Sequence, residues 1–313
     1  MRRPLLAAMI CVWIYGCAVQ AHAATYYVIV AGLGGEPDYE QRFTANAKEL
    51  DKVFRAASGA HVYTLTGNEA TRARLSETMA QVAREAKPED DLVLTLIGHG
   101  SFDGVDYKFN LVGPDVSAAD LATMCDKVPA RRQLVVNTTS ASGGSVAALE
   151  RQGRGVIAAT KTGTEKNATV FARYWVEALE DPTTDVDKSE SISAMEAFQY
   201  AERKTAAFYE SQKRLATEHA VFEDTGHGEP VRVNAAQGRE GALLSSITVL
   251  RIGTSQAAMN DPAKRELLAK KEELEQKIDA LKYQKAAMDP ADYKKQLTDA
   301  LLQLATVQGE LEK

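Results

Sequence analysis

Two parts of the chain carry residue types that can do chemistry. The first is the pair "GHG" (98–100) and "NTTSASGGS" (137–145). His99 stands between two glycines directly after an apolar run, where an imidazole is exposed and can act as a base. Gly100 has no side chain to hold a bound group away from its N–H, so that N–H is a candidate oxyanion donor. Ser140 follows the apolar run "LVVN" at the head of a string of small and hydroxylated residues, where many α/β enzymes present a nucleophile. A hydroxyl, an imidazole and a backbone donor together describe acyl transfer. Each also has a plainer reading: a loop histidine bonded to a neighbouring carbonyl, and a small residue ending a buried strand.

The second part is "DVDKSESISAME" (185–196). Its oxygen-bearing residues fall at loop positions 1, 3, 5, 7, 9 and 12, with an apolar residue at 8, as in a calcium-binding loop. The candidate ligands are Asp185, Asp187, Ser189, the Ser191 carbonyl, Ser193 and Glu196. Glu190 takes the place of the glycine that such loops use for an unusual backbone conformation. The plainer reading is a polar loop in which Ser191 or Ser193 caps the next helix. No cofactor other than calcium is implied.

These groups must be held by the elements that precede them. "TYYVIVA" (Thr25–Ala31), "HVYTLT" (61–66), "DLVLTLI" (Asp91–Ile97), "QLVVN" (133–137) and "GVIAAT" (155–160) read as strands. Between them lie helix patterns. Phe43, Ala47, Leu50 and Phe54 share one face of the first. The others are 71–86, "VSAADLATMCDKV" with Ser117 as N-cap and Asp120 in its first turn, and a helix opened by "SVAALE". Strands that are apolar on both faces and separated by helices make a mainly parallel sheet covered on both sides. The expected class is therefore α/β, a three-layer α-β-α sandwich. His99 and Ser140 fall beyond the carboxyl ends of its third and fourth strands, where functional groups collect in open α/β sheets. Residues 169–180 and 192–217 read as two further helices, 222–241 as a polar, glycine-rich loop, and "ALLSSITVLRI" as a last apolar segment.

This order of strand–His–Gly, helix, strand–nucleophile resembles the caspase–legumain superfamily of cysteine peptidases, and its legumain-like members most closely. "VIVAG" with its glycine-rich turn, Tyr39 and Arg42 is similar to the first strand and turn of legumains. "GHGSFDG" is similar to their His-Gly-Ser turn, and "SASG" to the family's Cys-x-Ser-Gly. The matched core covers residues 25–160. The resemblance implies a caspase-like fold and a peptide or protein ligand. It places His99 at the catalytic histidine, Ser140 at the nucleophilic cysteine, and the N–H groups of Gly100 and Ser140 at the oxyanion hole.

The chain departs from that pattern at three positions. The thiol is replaced by Ser140, the acidic residue two places earlier by Thr138, and the asparagine that assists histidine in legumains by Gly34. A thiol with a pKa of about 8.5 is partly ionised at neutral pH, whereas a serine hydroxyl is not and needs a well-oriented base. Cys125 lies mid-helix, reads as a buried apolar residue, and cannot replace the missing thiol. The expected function is a pseudopeptidase that binds peptide. The alternatives are a hydrolase using Ser140 with His99, and a scaffold acting through the C-terminal helices.

The rest of the chain bounds the setting. Its 313 residues carry a net charge of −6, which gives no reason to expect nucleic acid or an anionic membrane as partner. Residues 1–23 read as a signal peptide: "MRR", an apolar core, then "AHA", cut before Ala24. That core is too short to be a membrane span, so the expected location is secreted or periplasmic. "IYGC" offers Cys17 as a lipid anchor instead. Loss of Cys11 and Cys17 with the signal leaves Cys125 without an intramolecular disulfide partner.

Residues 24–253 then form the caspase/legumain-like domain and 254–313 a helical hairpin. Each hairpin helix opens with Asp-Pro, placing Pro at the first helical position. Leu267, Leu274, Leu281 and Met288 recur at heptad spacing, and Leu297, Leu301, Leu304 and Leu311 form the matching stripe. Such a hairpin closes on itself or is shared with a partner, which offers a homo-oligomer as one assembly, and the plainer reading is a solvated tail packed on its own domain.

Overall fold

The computed structural model describes residues 23–227, 229–232 and 240–313. The expected signal peptide, with Cys11 and Cys17, lies outside them except for Ala23, as does part of the 222–241 loop.

The chain begins β1 (Thr25–Ala31), α1 (Pro37–Arg55), β2 (Ala60–Leu65), α2 (Arg72–Glu85) and β3 (Asp91–Ile97). Three short strands follow, β4 (Gly100–Phe102), β5 (Tyr107–Phe109) and β6 (Val116–Ser117), then α3 (Ala118–Asp126) and β7 (Arg132–Asn137). Next come α4 (Val146–Leu149), β8 (Arg154–Ala158), α5 (Phe171–Glu180), β9 (Ser191–Ser193), α6 (Ala194–Ser211) and β10 (Val221–Glu223). The last elements are α7 (Ala242–Ser246), β11 (Thr248–Arg251), α8 (Gly253–Asn260), α9 (Arg265–Gln284) and α10 (Pro290–Leu311).

Six strands form the central sheet in the order β10-β8-β7-β3-β1-β2. Every pairing is parallel except that of β10 with β8. All residues of β1 and β3 are buried, because helices cover both faces. On one side Phe43, Leu50 and Phe54 of α1 pack with Trp175 of α5 and Phe198 of α6. On the other lie Leu75 and Met79 of α2 with Leu121 and Cys125 of α3. Each such side chain contributes about 1.5–3 kcal/mol of burial. The fold is the expected three-layer α/β sandwich with a mainly parallel sheet.

Local signals place several helix starts. Ser117 caps α3 in a capping box with Asp120, and Thr71 caps α2. Elsewhere long-range pairing overrides the local pattern. The helix expected from residue 192 begins at Ala194, because Ser191–Ser193 is drawn into an antiparallel pair with β11. The helix expected from residue 169 begins at Phe171, because Thr169 turns its hydroxyl to the Thr138 carbonyl. Val221–Glu223, whose last two residues read as the start of a polar loop, completes the sheet as β10.

The C-terminal helices lie against this body. Buried α9 residues are Leu268, Lys271, Leu274, Ile278 and Leu281, and Arg251 on β11 pairs with Glu272 at 2.5 Å. Leu267, expected in the stripe, is only half-buried, since the seam runs through its neighbour Leu268. α10 runs back along α9, so that Lys264 at one end of the pair reaches the Leu311 carbonyl at 2.7 Å. On α10 only Ala300 is fully buried, and Leu301 is 47% exposed. No helix among the described residues is long and apolar enough to cross a membrane.

Candidate active site

β3 and β7 are adjacent parallel strands, with Leu96 opposite Asn137, and the Thr138 N–H continues the ladder to the Leu96 carbonyl at 2.9 Å. Their carboxyl ends therefore bring the segments holding His99 and Ser140 side by side.

Ser140 is only 2% exposed. Its Oγ accepts a hydrogen bond from the Gly100 N–H at 3.1 Å and donates one to the Gly100 carbonyl at 3.2 Å. The expected oxyanion donor of Gly100 is thus satisfied by the expected nucleophile. The fit admits no side chain at Gly100, since a Cβ there would stand 2.5 Å from the Ser140 carbonyl oxygen and from Tyr107.

Beneath Ser140 lies a buried polar network. Asn137 Oδ1 accepts from the Thr139 hydroxyl at 2.8 Å and the Tyr107 hydroxyl at 3.3 Å, while its Nδ2 donates to Ser145 Oγ at 2.9 Å. Ser145 in turn donates to the Ser142 carbonyl at 2.7 Å. Every member finds a partner, so the network fixes the strand end rather than destabilising it. Ala141, next to Ser140, is held at φ 57, a left-handed conformation that a residue with a Cβ adopts at a cost of roughly 1–2 kcal/mol.

His99 is turned toward α1. Its ring meets Tyr39 edge-on at 4.7 Å and Phe43 at 5.0 Å, and the Gly34 backbone lies near enough to favour its protonated form. Burial, and after it the charge of Arg42, hold the imidazole below its usual pKa. Among the described residues no hydrogen bond joins His99 to Ser140. The ring contacts of His99 are with Tyr39 and Phe43 of α1.

Next to these groups is a cavity of about 170 Å³, lined by Arg42, Phe43, Gly98, Thr138, Thr169 and Arg173 among others. Arg42 lies over the Tyr39 ring at 4.7 Å and Arg173 over Tyr174 at 5.4 Å. Among the described residues neither guanidinium makes an ion pair, although, after Lys204, the charge of Arg173 helps to hold the Glu177 carboxyl below its usual pKa. Arg173 and Thr169 were invisible to the sequence reading, because helix α5 carries no motif that links them to the strand ends.

Glu165 and His219 were missed for the same reason. They lie 54 residues apart and meet at 2.5 Å. Cys125 is fully buried, and burial pushes its thiol up to about 11, as suits an apolar core residue.

In the 185–196 loop, single carboxylate oxygens of Asp185, Asp187 and Glu196 lie within 4.8 Å of one another. The oxygens of Asp185 accept from the Ser189 and Glu190 N–H groups at 2.9 and 3.1 Å. Ser193 caps α6 in a capping box with Glu196, the plainer of the two sequence readings. Yet Glu190, at the glycine position, has φ 59, the conformation that position requires. Asp187, Ser189, Ser191, Ser193 and Glu196 also line a small cavity of about 30 Å³, closed by Glu272 and Glu275 of α9.

No protein-family model matches the chain, and no curated protein sequence matches it. Solved structures that it is similar to include a protein from Geobacter sulfurreducens, at 14% identity and TM-score 0.48, over 74% of this chain and 100% of that one. The Drosophila initiator caspase Dronc matches at 9% identity and TM-score 0.45, over 66% of this chain and 81% of that one. Caspase-1 from Spodoptera frugiperda matches at 12% identity and TM-score 0.45, over 65% of this chain and 87% of that one. Identities this low say nothing of activity.

Proposed function

We propose that this chain is an exported, legumain-like relative of the cysteine endopeptidases that binds peptide without cleaving it. One observation carries the reading: the Ser140 hydroxyl is engaged by both the N–H and the carbonyl of Gly100. A nucleophile in that position needs its proton removed by a base and its oxyanion donor vacant. Here the donor is taken, and His99 faces Tyr39 and Phe43.

The ligand is a peptide with an acidic side chain or a terminal carboxylate. The adjoining cavity combines an apolar wall with two guanidinium groups that make no ion pair among the described residues, and such groups recognise carboxylates bidentately.

The test is a fluorophosphonate probe on the native chain and on Ser140→Ala. The binding reading expects neither to be labelled. Labelling of the native chain alone establishes the alternative, a hydrolase using Ser140. In parallel, a fluorescent peptide ending in aspartate is titrated by polarisation, with Arg42→Ala expected to weaken binding.

A second reading is favoured by the backbone at Glu190: the 185–196 loop takes calcium. Asp185, Asp187, Ser189, the Ser191 carbonyl, Ser193 and Glu196 would hold it. Carboxylate oxygens that already accept one N–H keep a further lone pair for a cation. The ion would add structural rather than catalytic chemistry, tying α9 to the body. A calcium-dependent rise in melting temperature that Asp185→Asn abolishes supports the reading, and no rise at millimolar calcium removes it.

A further inference from the structure

The segment between β8 and α5, residues 161–168, lies directly on the loop that follows Ser140. A Cβ at Gly143 would stand 2.5 Å from the Lys161 carbonyl carbon and the Thr162 nitrogen. The Ala141 N–H donates to the Glu165 carbonyl at 2.8 Å. From the other side the Phe102 ring presses on Gly163 and Gly144. Beneath this segment residues 138–142 are buried, whereas Lys161, Thr162, Thr164, Lys166 and Asn167 face solvent. It therefore has the build of a strap, one exposed coil over a closed polar site.

The strap's anchors are few. At its carboxyl end Thr169 donates to the Thr138 carbonyl, and Glu218 accepts the Val170 and Phe171 N–H groups at 2.8 and 3.2 Å. Near its start the buried Thr160 hydroxyl donates to the Thr162 carbonyl at 3.1 Å, and at its middle Glu165 ties it to the body. Glu165 Oε1 meets His219 Nδ1 at 2.5 Å, and Glu165 Oε2 accepts the His219 N–H at 3.2 Å and the Lys161 N–H at 2.7 Å. The same residue's carbonyl holds Ala141 in its left-handed conformation. Strain of that kind persists only where its surroundings over-determine it.

We infer that residues 161–168 form a strap latched by the Glu165–His219 pair, and that Ser140 becomes accessible when this latch opens. Release of Glu165 withdraws the acceptor from the Ala141 N–H, lets Ala141 relax to negative φ, and draws the Ser140 hydroxyl off Gly100. The inference goes beyond the peptide-binding reading and holds whether or not a peptide binds.

The experiment places a thiol at the guarded position with Ser140→Cys and measures its alkylation by iodoacetamide, using mass spectrometry of the peptide that contains position 140. His219→Ala in that background should speed alkylation at 140 by about tenfold or more, the order expected when a hydrogen bond to a charged group is lost. Alkylation of Cys125 should stay slow, which separates strap opening from unfolding. An unchanged rate at 140, or equal acceleration at Cys125, overturns the inference. If His219→Ala does not fold, hydrogen exchange of the unaltered chain decides. Exchange of the Ala141 amide faster than that of Val135 and Val136 in β7 supports the latch, and exchange at the same rate overturns it. No peptide enters either measurement, so failure here is distinguishable from failure of the proposed function.

Discussion

The hydroxyl of Ser140 and the peptide group of Gly100 hold one another, N–H to Oγ at 3.1 Å and Oγ–H to carbonyl at 3.2 Å. One small side chain thereby satisfies both polar groups of the residue after His99 and ties the end of β7 to the start of β4. A thiol is a weaker donor and acceptor than a hydroxyl and would make the same clamp poorly. The Ser140 hydroxyl is thus a structural fastening that a thiol in its place would supply less well.

If that fastening matters to the fold, Ser140→Ala should destabilise the chain by about 1–2 kcal/mol, since the Gly100 N–H and carbonyl lose their partner in a largely buried place. Urea denaturation measures the difference. A variant as stable as the native chain would mean that water or another group replaces the hydroxyl at no cost.

Gly100→Ala addresses the same contact from the other side. A methyl group 2.5 Å from the Ser140 carbonyl and the Tyr107 ring forces the two strand ends apart. Overpacking of this kind costs about 1–3 kcal/mol. It should also loosen the hydroxyl network around Asn137, visible as faster amide exchange at Thr139. Full retention of stability would show that β4 can shift freely.

How much of this was legible in the sequence follows from the range of the interactions involved. Continuous apolar runs gave away β1, β3 and β7, and helical spacing gave the buried face of α1, with Phe43, Ala47, Leu50 and Phe54 all in the core. Ser117 and Asp120 form a capping box within four residues, so the start of α3 was readable as well. β9 was not, because three residues of alternating serine become a strand only through β11, more than fifty residues on. At the candidate site, sequence order placed His99 and Ser140 on neighbouring strand ends. It carried no sign that Ser140 would bond to Gly100, that His99 would pack on Tyr39 and Phe43, or that Glu165 would reach His219. Those contacts are set by packing, which leaves no local pattern.

The imidazole of His99 predicts a pH dependence. Burial foremost, and then Arg42, hold its pKa below the usual 6.5, so the folded chain binds this proton less readily than the unfolded chain does. Above a pH of about 6.5 both states are neutral and the ring costs nothing. As pH falls below that value the unfolded chain takes up the proton first, and stability is lost until the pH passes the lowered folded value. His99→Gln, which keeps a polar side chain that does not titrate, should flatten the stability curve over that interval. Curves of equal slope for variant and native chain would assign the acid loss to other groups.

The sharpest test of how α9 is fixed to the body lies at Lys271. Its side chain is 4% exposed, and its ammonium donates to the Ser189 carbonyl and to Ser255 Oγ, with Glu275 at 3.4 Å. Burial drives the Glu275 carboxyl up to about 7, and Lys271 is the group that opposes this most. Lys271→Met keeps the apolar stem and removes the charge, leaving Glu275 facing Asp187 and Glu272 without its cation. Removing one partner of a buried pair costs about 3–5 kcal/mol when the other stays charged. A carboxyl whose folded pKa lies above its unfolded value contributes stability that is complete below the unfolded value and lost as pH rises through the folded one. The loss in Lys271→Met should therefore be larger at pH 8 than at pH 5, and Glu275→Gln in the same chain should recover much of it. An equal loss at both pH values would show that the ammonium's hydrogen bonds to Ser189 and Ser255, not its charge beside Glu275, hold α9 in place.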